Sequence, residues 1–125
     1  MIFDTDIFIW FQRGNEKAAS LMDSQNERFL SILSYMELLQ GAGNKLQHQY
    51  IKDFISRYGF QVLPLNENIG HRAAIYIEEY SLSSGIRAGD AIIAATATEN
   101  NMSLASGNAK HFKAIKDLDL VVFKP

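Results

Sequence analysis

Four short stretches each set oxygen-bearing side chains beside an apolar run. FDTDIFIW carries Asp4 and Asp6, SYMELLQG carries Glu37, GDAIIAATA carries Asp90, and LASGNAKHF carries Ser106 and Asn108. Carboxylate and amide oxygens are hard ligands suited to Mg2+ or Mn2+, ions that keep several waters and take one or two carboxylates together with phosphate oxygens. An ion so held polarises a phosphodiester and lowers the pKa of a bound water until hydroxide is available near neutral pH. The residue types therefore outline metal-assisted phosphodiester hydrolysis, provided the fold gathers them.

Helix starts favour the same residues. Asp6 before IFIWF and Asn108 before AKHF are good N-caps, Ser34 and Glu37 have the spacing of a capping box, and Asp90 complements the positive end of a helix dipole. Helices that follow parallel strands begin at the edge where ligands bind, so a shared location does not separate cap from ligand. Asp4 differs because it ends a strand. A carboxylate entering a buried sheet edge unpartnered is costly, so something positive is expected to face it.

Other chemistries find little support. GAGNKL around Gly41 and Gly43 lacks the third glycine of a dinucleotide fingerprint, and no Walker lysine motif, HExxH or GxSxG occurs. The absence of cysteine excludes disulfides, thiolate zinc sites and a cysteine nucleophile, and fits a reducing, cytoplasmic setting. His48, His71 and His111 are scattered; the first two read as surface residues, and His111 as either a minor substrate contact or part of a solvated face. Arg87 and Lys110 are candidates to steady a phosphate, although Lys110, Lys113 and Lys116 also fit a solvated helical face. Glu78, Glu79, Asp117 and Asp119 read as surface charge, and Trp10 and Phe11 as core or partner contact. The net charge of −2 lacks the basic excess of a passive nucleic-acid binder. A phosphate-bearing substrate would need a local basic rim, or a cation held by the acids.

The elements that must position these groups alternate. MIFD reads as a strand, Thr5 and Asp6 as a turn, and IFIWF as a helix; a second helix runs from about Asn15 to Asp23. RFLSILS reads as a strand, and YMELLQGAG as a helix ended by its glycines. From Lys45 to Tyr58, apolar residues recur at three and four, which marks one helical face. FQVLPL alternates as a strand, Asn66 is placed to cap a helix striped by Ile69, Ala73, Tyr76, Ile77 and Tyr80, and SLSSG breaks it. The alanine-rich helix after Gly89, the strand MSLAS, the short helix NAKHFKAI and the strand LVVF complete the chain. Strands alternating with helices predict an α/β fold with a mainly parallel central sheet flanked by helices. Its reactive crevice lies beyond the carboxyl ends of the strands. A chain of 125 residues with 47% hydrophobic and 21% charged residues is expected to form one globular domain over 1–125. MIFDTDIFIWF has no basic n-region, and no apolar run reaches the roughly 18 residues of a membrane span. Neither export nor membrane insertion is expected.

FDTDIFIW, SYMELLQG, GDAIIAATA and LASGNAKHF, in that order and across essentially the whole chain, resemble a PIN domain of the VapC toxin type. The resemblance implies a Mg2+ or Mn2+ dependent endoribonuclease, toxin of a type II toxin-antitoxin system, that cuts RNA with a metal-activated water. By position, Asp4, Glu37 and Asp90 match the family's acidic metal-site residues. Asn108 stands where relatives carry a fourth polar ligand, often aspartate, and Ser106 at a hydroxyl position usually held by threonine. Asp6, where relatives often show asparagine or serine, restores an acid, which leaves one ion or two open. The resemblance also implies a homodimer and a VapB-like antitoxin whose tail lays apolar residues along a groove and points a basic side chain into the acidic pocket. The competing reading is a catalytically impaired PIN-like RNA- or protein-binding module, with Asn108 as its first sign. A receiver domain fits less well, because FQVLPLN ends without the aspartate that would accept phosphate.

Overall fold

The computed structural model describes residues 1–125. In chain order its elements are β1 (Ile2–Phe3), α1 (Thr5–Gln12), α2 (Glu16–Asp23), β2 (Arg28–Ser31), α3 (Ile32–Gln40) and α4 (Lys45–Arg57). They continue with β3 (Phe60–Leu63), α5 (Glu67–Ser84), α6 (Ala88–Glu99), β4 (Leu104–Ser106), α7 (Ala109–Phe112) and β5 (Leu120–Val122). The strands form one sheet in the order β3-β2-β1-β4-β5, and every pairing is parallel.

Successive strand side chains point to opposite faces of a sheet, and the two cores divide accordingly. Ile2, Phe29 and Leu104 pack with residues of α5, α6 and α7, while their neighbours Phe3, Leu30 and Ala105 pack with residues of α1 to α4. Phe3 and Phe8 are wholly or almost wholly buried and meet Phe60 edge-on or tilted; burying such a ring contributes roughly 1.5–3 kcal/mol. Alanines 91, 94, 95 and 97 of α6 have no exposed surface, so small side chains let this helix lie close in the core.

Several helix starts differ from expectation. Asp4, and not Asp6, is the N-cap of α1, because the helix already begins at Thr5. β2 ends at Ser31, whose hydroxyl accepts from the Ser34 amide at 3.0 Å and caps α3. Ser34 and Glu37 therefore form no capping box. Asn108 occupies the N-cap position of α7 without capping it through its side chain. The capping asparagines Asn15 and Asn66 stand as expected. Two residues read as surface groups also have partners: His48 Nε2 lies 2.7 Å from the Leu39 carbonyl, and exposed Asp117 binds Arg72 at 2.6 Å and the Tyr76 hydroxyl at 2.9 Å. Arg72 pairs with Glu99 as well, which ties α5 to the end of α6 and to the segment before β5.

Candidate active site

The strand order reverses between β1 and β4, since the chain moves outward from β1 through β2 to β3 and then returns to the other side for β4 and β5. Crevices at such switch points are where open α/β sheets bind ligands. Asp4 follows β1 and Ser106 ends β4, and the register that pairs Phe3 with Ala105 sets them side by side. The Ser106 hydroxyl donates to Asp4 Oδ2 at 2.7 Å, and the Thr5 amide donates to Oδ1 at 2.7 Å.

Asp4 is only 6% exposed. Burial, then the neighbouring charge of Asp6, raises its pKa to about 7 against the lowering by Ser106 and Thr5, and Asp90 adds to the rise. No cation faces this carboxyl: its partners are a hydroxyl and an amide, which departs from the positive partner expected. Asp6 lies in the first turn of α1. Its Oδ2 accepts from the Gly107 amide at 2.9 Å, while its Oδ1 is buried with no partner. Burial raises its pKa, with Asp90 again contributing. A Cβ at Gly107 would stand 2.7 Å from Asp6 Oδ2, so any larger residue here displaces the Asp6 carboxylate.

Asp90 lies in the first turn of α6, and its Oδ2 is 2.9 Å from His111 Nδ1. Asn108 Nδ2 is 2.8 Å from the same nitrogen, and the Asn108 backbone N–H donates to Ser106 Oγ at 2.9 Å. Asp4, Asp6, Asp90, Ser106 and Asn108 thus come together. Glu37 is exposed on α3, and its Oε1 accepts from the Thr5 hydroxyl at 2.7 Å; that hydroxyl is also 2.9 Å from Ser34 Oγ. Arg87 and Lys110 are exposed and pair with no carboxylate in the structure.

Thr5 and Gly107 belong to the site and were not assigned to it from sequence; His111, read there as a minor substrate contact or a solvated residue, meets Asp90. Thr5 and Gly107 sit directly beside assigned residues, and His111 is three residues after Asn108, the spacing that brings side chains together on a helix. No three acidic or histidine side chains form a ready-made ligand cage. The donor set nonetheless fits a hard cation: partly covered Asp6 and Asp90 add their charge to buried Asp4, one Asp6 oxygen has no partner, and no lysine or arginine neutralises them.

The PIN domain family model matches residues 1–118. The chain belongs to the PIN domain family. Members of this family are nucleases and generally use divalent metal ions. This PIN domain is similar to a chain of a toxin-antitoxin complex from Klebsiella pneumoniae, at 27% identity and TM-score 0.82, covering 97% of this chain and 95% of the other. It is also similar to a chain of VapBC-1 from nontypeable Haemophilus influenzae, at 25% identity and TM-score 0.79, with 98% of each chain covered. A chain of VapBC2 from Rickettsia felis, in a structure bound to a promoter DNA fragment, shares the fold at TM-score 0.77 and 24% identity, over 99% of this chain and 100% of the other. No curated protein matches by sequence. No helix is long and apolar enough to cross a membrane.

Proposed function

We propose that this PIN domain is the toxin of a type II toxin-antitoxin system, a Mg2+ or Mn2+ dependent endoribonuclease acting in the cytoplasm as a single domain over 1–125. The observation that carries the reading is Asp4, buried at the β1/β4 switch point beside Asp6 and Asp90 with no protein cation to neutralise it. In this reading Asp4, Asp90, Glu37 and Asp6 hold the ion. When bound, a divalent cation supplies polarisation of the phosphodiester and a water acidic enough to attack it. Ser106 fixes one oxygen of Asp4 and leaves Asp4 Oδ1 with only the Thr5 amide. Asn108 replaces an acid with a neutral amide beside the reacting phosphate, and Arg87 and Lys110, free of carboxylate partners, contact the RNA backbone. The acids would repel RNA without the cation, which reconciles a net charge of −2 with an anionic substrate.

The similar chains come from toxin-antitoxin complexes, which supports a VapB-like antitoxin as partner; a homodimeric toxin is a separate part of the proposal. Light scattering should give twice the chain mass; a monomer persisting at high concentration would remove the dimer.

The decisive experiment is cleavage of total RNA by the purified chain with Mg2+ or Mn2+ and with EDTA, beside Asp4→Asn and Asp90→Asn. The reading requires metal-dependent cleavage by the wild type and its loss in both folded variants. Asn108 and the lack of a preformed ligand cage favour, as a second reading, an impaired binding module. That reading gains if RNA is bound and never cut with either metal.

A further inference from the structure

We propose that His111 is a positioning residue for Asp90: its Nδ1 hydrogen holds Asp90 Oδ2 and thereby keeps the second oxygen turned to a divalent cation. The inference rests on the reading of Asp90 as a ligand and adds a residue that the resemblance assigned no role. His111 and Asp90 are 21 residues apart and on different helices, yet both side chains are largely covered, 24% and 21% exposed, and their atoms meet at 2.9 Å. Fully buried Phe112 anchors α7 in the core that α6 also lines, so the imidazole is held where it is by packing next to it.

The chemistry of the contact determines which atom carries the hydrogen. An ionised carboxylate only accepts, so Nδ1 must donate. Asn108 Nδ2 stands 2.8 Å from the same nitrogen, and two donors cannot face each other in one hydrogen bond. A half-turn of the carboxamide exchanges its oxygen and nitrogen, which lets the oxygen share the Nδ1 hydrogen. An aspartate at 108 would be a charged competitor for it. The neutral amide is the weaker acceptor and leaves the hydrogen with Asp90. The neutral carboxamide at 108 and the histidine at 111 thus form one arrangement. Partners that orient ligating groups in this way commonly change metal affinity about 10- to 100-fold when removed.

The test is direct Mn2+ binding to the metal-stripped full chain, read by titration calorimetry and by the spin-resonance signal of free Mn2+, with RNA cleavage as a separate readout. His111→Leu is expected to weaken Mn2+ binding about 10- to 100-fold. His111→Asn puts an amide nitrogen where Nδ1 stood and is expected to restore affinity to within a few-fold of wild type. His111→Gln places its amide nearer the position of Nε2 and is expected to remain weak. This Asn and Gln contrast carries the comparison even if the Leu variant unfolds, since both side chains are polar and thermal melts check both folds. A Gln variant that binds like wild type, or a folded Asn variant that binds no better than Gln, overturns the positioning role. If Asp90→Asn loses Mn2+ while the His111 variants keep it, only this inference falls. If the wild type binds no Mn2+, the metal reading of the function falls with it.

Discussion

Asp4 is an acid placed where its charge is unfavourable until something positive arrives. Its folded pKa of about 7 exceeds the ordinary value of 3.8, so the folded state holds the proton more tightly than the unfolded one. The stabilising effect is fully present below about pH 4 and is lost as pH rises to 7. The difference corresponds to roughly 4 kcal/mol at most. In EDTA, therefore, the wild type is expected to lose stability between pH 5 and pH 8 relative to Asp4→Asn, which removes this dependence. Denaturant melts at the two pH values measure it; parallel curves for both proteins would show that Asp4 ionises without cost. Added Mn2+ should recover stability chiefly at pH 8, by binding the folded state alone. Gly107 offers a second change at this scale. Gly107→Ala would press a methyl group against Asp6, whose Oδ2 lies 2.7 Å from the Cβ position, while the Phe123 carbonyl at 3.4 Å is in ordinary contact. The expected result is about 1–3 kcal/mol of lost stability together with weaker Mn2+ binding. A variant that keeps both affinity and melting point would mean that Asp6 moves aside freely.

At the scale of elements, the positions of the acids depend on where helices start. Ser31 both ends β2 and caps α3, so Ser31→Ala should cost about 1 kcal/mol and loosen the turn that carries Ser34 toward Thr5. Chemical denaturation measures the first effect, and an unchanged midpoint would contradict the capping role. On α6, Ala95→Leu adds volume at a position with no free surface and is expected to cost about 1–3 kcal/mol, which a lowered melting temperature would report. The parallel α/β order and nearly every element were legible from periodicity, because apolar spacing of two or of three and four depends only on local geometry. Caps were less legible. FDTD offers two acids two residues apart, either able to cap, and only the pairing of β1 with β4 decides that the strand ends before Asp4. SYME matched a capping box, but β2 pairs with β3 through Ser31 and the helix starts one turn sooner. His111 was the site residue hardest to read, since its role comes from a partner on α6 and a lysine-rich stretch hides it.

The whole molecule adds a groove that single residues and elements do not reveal. Its cavity, about 600 Å3, is bounded by α1, α3 and α4; it is lined by Ile9, Leu38, Tyr50 and Ile51 and reaches Thr5 and Glu37 at the acids. Tyr50 also lines the adjoining hollow with Phe11, Phe54 and Tyr58. Ile9 is 39% and Tyr50 57% exposed, so this apolar lining is partly open to water. An antitoxin tail with apolar residues along the groove and a basic side chain at the acids would cover that surface and occupy the place proposed for the cation. Aromatic anchors in such interfaces often contribute 2 kcal/mol or more, about 30-fold in affinity. Tyr50→Ala is therefore expected to weaken binding of the cognate antitoxin tail about 30-fold in calorimetry, while RNA cleavage by the free chain is unchanged, because Tyr50 is hydrogen-bonded to none of the acids. Inhibition of cleavage by the tail should weaken in parallel. If affinity is unchanged, the tail lies elsewhere. If cleavage falls as well, the groove serves RNA, and the face assigned to the antitoxin belongs to the substrate.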